Sequence, residues 1–307
     1  MATAFITHPA CRNHEMQPGH PECPRRLSLI ADQLRVQGID DFLRHYEAPL
    51  ASRKQLERVH DPDYLDRLAA TSPVEGLVQV DPDTALGPHT LEAAFHAAGA
   101  VVRAVDLVMT GEVGNAFCAV RPPGHHAERA SAMGFCFLNN IAVGAAHALA
   151  AHGLSRVAVL DFDAHHGNGI EEIFEHEPRV LVCSTYQHPL YPFSGAPSIP
   201  GHIINVPLAA GTRGQPYRDA IEQHWLPAVD QFRPQLILVA AGFDGHAADP
   251  TTDLMLNERD YEWITQQILA LAARHTGKRL VSALEGGYAA GALERCVAVH
   301  IRELAGL

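Results

Sequence analysis

The stretch RVAVLDFDAHHGNG covers residues 156–169 and changes character midway. Val157 to Leu160 is an unbroken apolar run, the pattern of a strand buried on both faces of a parallel sheet. The run ends in Asp161, Asp163, His165 and His166, and the glycine-flanked Asn168 follows. Open α/β folds bind ligands beyond the carboxyl ends of such strands, so this segment predicts both an architecture and a site.

Six more runs repeat the strand signature: 3–7, 116–120, 179–184, 203–206, 235–241 and 279–284. Helical periodicity falls between them at 24–37, 62–70, 90–110, 137–152, 169–176, 215–232, 258–275 and 290–304. Asn257, followed three residues later by Asp260, is a variant of the capping box and marks the start of one helix. Alternating strands and helices predict an open three-layer α/β/α sandwich with a mostly parallel central sheet. Residues 1–307 contain no internal repeat or linker-like stretch, so one domain is expected.

Composition narrows the function classes. The net charge is −12, Lys54 and Lys278 are the only lysines, and no basic patch interrupts the acidic balance. Direct nucleic-acid binding is therefore not expected. No apolar run approaches the ~18 residues of a membrane span, and MATAFITHPACRN lacks a basic segment followed by an apolar one. None of the six cysteines forms a Cys-x-x-Cys pair. Cys118, Cys136 and Cys183 lie in apolar runs, which suits a reducing, cytoplasmic setting. A homo-oligomer stays open.

Four polar loops follow strands: RPPGHH, DAHHGNG, AGFDGHAADP and EGGYAAG. Asp163 and His165 are two apart, so an extended backbone turns both to one side. Asp244 would join them from a neighbouring strand. One histidine and two carboxylates with an open position suit a catalytic divalent metal, usually zinc. A capped strand end with surface histidines is the plainer alternative. Asp161 lies deeper and needs a partner: a histidine of the GHH loop, or a monovalent cation held by backbone carbonyls. His125 and His126 after Pro-Pro-Gly suggest proton shuttling, and the Tyr288 hydroxyl could donate to an oxyanion.

Together these segments resemble the histone deacetylase superfamily within the arginase/deacetylase fold, in its class II-like bacterial amidohydrolase branch. The resemblance rests on GHPECPRRL (19–27), VHDPDYLDRL (59–68), RPPGHHA (121–127), MGFCFLNNIAVGAAHAL (133–149), VLDFDAHHGNGIEEIF (159–174), AGFDGHAADP (241–250) and EGGY (285–288). It implies a Zn²⁺ on Asp163, His165 and Asp244. His126 would be general base and then acid, oriented by Asn168. His125, paired with Asp161, would act electrostatically. Tyr288 would polarise the acyl carbonyl. Gly134, Phe135 and Tyr191 would line a tunnel for an acyl-lysine stem, and Arg26 would sit near an acetate exit. The resemblance also implies a structural potassium using Asp161, Ser184 and the carbonyls of Asp163, His165 and Thr185. A second potassium would lie near Phe174, Glu177 and Val180.

The expected activity is deacylation of N-acyl-lysine, in a peptide or protein, or of a small acylated amine, with acetylpolyamines as the alternative. A binuclear manganese ureohydrolase fits less well, because Gly167 stands where another Asp would be needed. Two positions depart from the family pattern. Ala289 replaces a frequent Asn, and Thr251 stands where relatives carry a larger apolar or an acidic residue. His166 is expected to be a packed structural histidine.

Overall fold

The computed structural model describes residues 2–195 and 197–307. Its central sheet has eight strands: β1 (Thr3–Thr7), β2 (Leu43–Glu47), β5 (Asn115–Cys118), β6 (Val157–Asp161), β7 (Val180–Gln187), β8 (Ile203–Leu208), β9 (Leu236–Ala241) and β10 (Leu280–Leu284). A separate hairpin pairs β3 (Val78–Asp81) with β4 (Thr84–Leu86). The sheet order is β2-β1-β5-β10-β9-β6-β7-β8, and every neighbouring pair is parallel.

Helices cover both faces. On one side lie α2 (Arg53–Leu56), α4 (Thr90–Met109), α5 (Asn140–Ala151) and α6 (Asn168–Phe174). On the other lie α1 (Arg25–Val36), α7 (Gly214–Phe232), α8 (Glu258–His275) and α9 (Leu293–Ala305). The helix α3 (Pro62–Thr71) is amphipathic and buries Tyr64, Leu65 and Leu68. This is the expected sandwich. Every residue of β6, β9 and β10 is buried, which is why their sequences are apolar without alternation. Asn257 and Asp260 form the reciprocal capping box at the start of α8, a feature worth about 1 kcal/mol.

Two elements escape the apolar-run criterion. β2 reads LRHYE and buries only its first residue, because it is an edge strand and pairs with β1 alone. The β3–β4 hairpin turns through Pro82 and Asp83 and is too short and polar to register as strands. Helix boundaries shift by a few residues: α5 starts at Asn140, where the Asn139 side chain caps Ala142 N (3.0 Å). Among the described residues, no helix is long and apolar enough to cross a membrane.

The sheet order places the chemistry. β5, β10, β9 and β6 are consecutive neighbours, and they are the strands that precede the four polar loops. Residues 121–135, 285–288, 242–250 and 163–169 therefore meet above the centre of one sheet edge.

Candidate active site and metal centre

The strand end of β6 sets the first ligands. Asp161 is its last residue, and Asp163 lies two further on. The Asp161 Oδ1 accepts from Asp163 N (3.1 Å), and Asp163 Oδ1 from His165 N (2.9 Å). Asp244 reaches over from the loop after β9 and accepts from Ala164 N (2.9 Å). A Cβ on Gly286 would lie 2.2 Å from Asp244 Oδ2, and one on Gly242 would lie 2.0 Å from Asp163 Oδ2. Only glycine lets these backbones approach the carboxylates.

Asp163, His165 and Asp244 present ligand atoms within 4.8 Å of one another. His165 Nδ1 lies 3.1 Å from Asp163 Oδ1 and 2.9 Å from Asp244 Oδ2. A tetrahedral zinc with bonds of ~2.0–2.2 Å needs ligand atoms only slightly further apart. Both aspartates are fully buried. Burial and the Asp163 charge push Asp244 up to about 7. Burial opposes a charge on His165, yet Asp244 and Asp163 raise it to about 10. A compact buried set with two carboxylates calls for a cation, and this donor set fits one divalent ion with an open position.

The two histidines of the GHH loop are driven apart. Both are buried, with ring centroids 3.9 Å apart. Burial opposes a charge on His125, but Asp163 and Asp161 overcome it and raise the group to about 10. His125 Nδ1 donates to Asp161 Oδ2 (3.1 Å). His126 goes the other way: burial first, then the charges of His125 and His165, hold it well below the usual imidazole range. Its Nδ1 donates to Asn168 Oδ1 (2.8 Å). Asn168 cannot turn over freely, because its Nδ2 donates to Glu128 Oε1 (2.8 Å). The ring is therefore neutral and its Nε2 lone pair is available as a base. Neighbouring groups with opposed pKa shifts are the usual sign of divided acid–base roles.

A cavity of about 190 Å³ opens onto this cluster. Asp83, Phe135, Tyr191 and Thr251 line it, with Gly134, His125, His126, His165 and Tyr288 further in. Phe135 adopts φ 68°, a costly conformation for an aromatic residue. It is held there by a hydrogen bond from its N to the buried Thr84 Oγ1 (2.9 Å). The Phe135 and Tyr288 rings meet edge to face at 5.8 Å, as do His126 and Tyr191 at 5.3 Å. Burial holds the Tyr288 phenol well above its usual range, so it stays a donor.

With this geometry in place, similarity to known proteins becomes informative. The histone deacetylase domain model matches residues 20–304. The chain belongs to the histone deacetylase family. It is 41% identical to the histone deacetylase-like amidohydrolase of Pseudomonas aeruginosa, over 94% of this chain and 78% of that protein. It is 36% identical to the human polyamine deacetylase HDAC10, covering 100% of this chain and 48% of that protein. The crystal structure of the HDA15 HD domain superposes with a TM-score of 0.93 at 32% identity, over 99% of this chain and 88% of the other.

Within this deacetylase-family site, several of the expected residues sit apart from the cavity lining. Arg26 does not line the cavity. Its Nε donates to Gly287 O (2.7 Å) and Nη2 to Glu285 O (2.5 Å), and Glu22 draws Nη1 away at 3.2 Å. The guanidinium thus lies behind the Tyr288 ring, 4.9 Å from its centroid. Ser184 Oγ is buried without a partner and pairs in register with Asp161, which fits the potassium expected there together with Thr185. The expected second potassium would rest on main-chain carbonyls, each of which already accepts one hydrogen bond. The carbonyls of Phe174, Glu177 and Val180 accept from Glu177 N, Val180 N and His202 Nδ1, each at 2.9 Å. His166 is packed, with Ser194 Oγ and Glu171 Oε2 each at 2.8 Å.

Sequence reading missed the supports. Glu285 is buried and accepts from Gly124 N (2.6 Å) and His125 N (3.1 Å), fixing the histidine loop from β10. Glu128, Thr84, Asp83 and Asp249 were also overlooked. Glu285 stands inside the EGGY segment and could have been suspected. Thr84 and Asp249 accept from main-chain N–H groups, Glu128 from the Asn168 side chain, and Asp83 lines the cavity, roles that leave no periodic signal.

Proposed function

We propose that the chain is a zinc-dependent amidohydrolase that deacylates N-acyl-lysine side chains or related acylated amines. The observation that carries this reading is the opposed pair His125 and His126 beside the three-ligand cluster. Asp163, His165 and Asp244 would hold the Zn²⁺, and Asp161, Ser184 and Thr185 would hold a structural K⁺. When bound, the zinc would supply Lewis-acid polarisation of the acyl carbonyl and a more acidic water.

The protein's own groups do the rest. His126 Nε2 takes a proton from the attacking water as its oxygen bonds to the acyl carbon. The same proton returns to nitrogen as the C–N bond breaks, giving a carboxylic acid and a free amine. His125 stays cationic between Asp161 and Asp163 and favours negative charge at the reacting carbonyl. Tyr288 donates to that developing oxyanion. Phe135 and Tyr191 offer aromatic walls to a methylene stem, and an unacylated ammonium would enter between them only at a desolvation cost.

A small cationic acylamine, such as an acetylpolyamine, is the second reading. Asp83 at the cavity favours it, because its carboxylate would suit a protonated amine further along the chain. A binuclear ureohydrolase would need another carboxylate where Gly167 stands, and His246 is turned to other partners: its Nδ1 accepts from Ala248 N (3.0 Å), and its Nε2 faces Glu258 at 3.6 Å.

A turnover panel decides between these readings. It comprises acetyl-lysine peptides, longer acyl-lysines and acetylpolyamines, with and without a hydroxamate chelator, alongside metal analysis. One zinc per chain and hydroxamate-sensitive deacylation are expected. No turnover of any member by the zinc-loaded protein would sink the proposal, and two manganese ions per chain would favour the ureohydrolase.

A further inference from the structure

Asp249 is buried (6% exposed) and lies outside the cavity lining. Its two carboxylate oxygens serve two different loops. Oδ1 accepts from Thr251 N (3.1 Å) and Thr251 Oγ1 (2.6 Å). Oδ2 accepts from Tyr288 N (2.7 Å) and Ala289 N (3.1 Å). Thr251 and Tyr288 both line the cavity. Asp249 itself is fixed to the loop of Asp244 by donating its N to His246 O (2.8 Å).

We propose that Asp249 is a positioning residue that clamps Tyr288 in place and ties it to the rim residue Thr251. This deepens the deacetylase reading and rests on it. The need for a clamp follows from the loop. Gly286 and Gly287 precede the tyrosine, and Gly287 adopts φ 119°, so the tyrosine main chain has freedom to lose. Gly286 N is held by Asp163 Oδ2 (2.8 Å) and Gly287 O by Arg26. Beyond that point the N–H groups of Tyr288 and Ala289 converge on one oxygen. The clamp grips main chain, so it makes no demand on the side chain at 289. Ala289 therefore serves where relatives often carry Asn.

The chemistry of the group matters as much as its place. Four donors converge on Asp249, two on each oxygen. A carboxylate accepts on both oxygens, whereas an amide accepts on one and would set its NH₂ against two donors. Asp249→Asn should therefore release one of the two loops, although it is nearly isosteric. A misplacement of ~1 Å at a catalytic group can cost ~10²-fold.

The test is a cycle of Asp249→Asn, Tyr288→Phe and the double variant, each with measured metal content and kcat and KM for the best panel substrate. Asp249→Asn alone is expected to lower kcat about 10–100-fold. In the Tyr288→Phe background it should lower kcat no further, while any KM change survives, because groups acting as one unit are not additive. Full multiplication of the two kcat losses would overturn the proposal. Asp249→Glu, whose extra methylene displaces both acceptor oxygens, carries the same cycle if the Asn variant fails to fold. Amide exchange reads the clamp independently of turnover: Tyr288 and Ala289 should exchange at least about tenfold faster in Asp249→Ala, which leaves no acceptor for either loop. Unchanged exchange overturns the clamp whatever the activity, whereas an inactive wild type with accelerated exchange supports the clamp and sinks only the deacetylase reading.

Discussion

Two groups of histidine and carboxylate in this molecule look alike on paper and differ in what they can do. Asp163, His165 and Asp244 cluster at the sheet edge, and Asp106, His147 and His152 cluster between α4 and the end of α5. Each offers three ligand atoms within 4.8 Å. In the first, His165 Nδ1 faces two carboxylates. In the second, Arg58 Nη1 donates to His147 Nδ1 (2.9 Å). An arginine can only donate, so His147 carries its hydrogen on Nε2 and gives it to Asp106 Oδ1 (2.8 Å). His152 contacts the same oxygen at 2.8 Å. That cluster is a finished hydrogen-bond network with no lone pair to offer on His147. Residue types alone do not make a metal site; a ring nitrogen aimed at two buried carboxylates, whose proton a cation can replace, does.

Removing a carboxylate from each cluster should separate them most sharply. Asp244→Ala is expected to lose the metal and at least ~10³-fold in kcat/KM, since Lewis-acid stabilisation is worth several kcal/mol. Asp106→Ala should keep one metal per chain and activity within about twofold. Metal analysis and steady-state kinetics on both variants check this, and loss of metal from Asp106→Ala would erase the distinction.

The next effect lies beside the first cluster. His126→Ala should lower kcat about 10²–10⁴-fold with the metal retained, and Tyr288→Phe about 10²–10³-fold. Near-normal turnover by either would remove it from the chemistry.

Much of this was legible in the sequence. Apolar runs without alternation reported strands buried on both faces, and the two-residue spacing of Asp163 and His165 reported a shared side. What stayed hidden has physical reasons. β2 is an edge strand with one buried residue, and the hairpin carrying Asp83 and Thr84 has too few residues for periodicity. Glu128 and Asp249 act across loops, through partners 40 and 39 residues away. The Arg58–His147 contact spans 89 residues, so no reading of spacing could tell the second cluster from the first.

Asn168 offers a smaller and more directional test. His126 is held low by burial and by the charges of His125 and His165, and the amide beside it adds no counter-charge. Asn168→Asp would place a carboxylate 2.8 Å from His126 Nδ1, favouring the imidazolium and raising the histidine's pKa by ~1 unit or more. A base is active when unprotonated, so the acidic limb of kcat/KM against pH should move to higher pH. An unmoved limb would mean that the Asn168 contact does not set the basicity of His126.

The smallest effect concerns the second cluster alone. Arg58→Ala removes the donor that fixes the His147 tautomer. The ring can then place its hydrogen on Nδ1 and turn an Nε2 lone pair toward Asp106 and His152. Losing one charge-assisted hydrogen bond should cost about 1.5–3 kcal/mol of stability at most, less because solvent can replace the donor. The gain should be a new, weak site for a divalent ion such as Ni²⁺, seen as a second equivalent in titration and as a rise in Tm with added Ni²⁺. Wild type should show neither. If Arg58→Ala still binds only one ion, the tautomer is not what keeps this cluster empty of metal, and the single partly exposed carboxylate of Asp106, facing no second acid, becomes the reason instead.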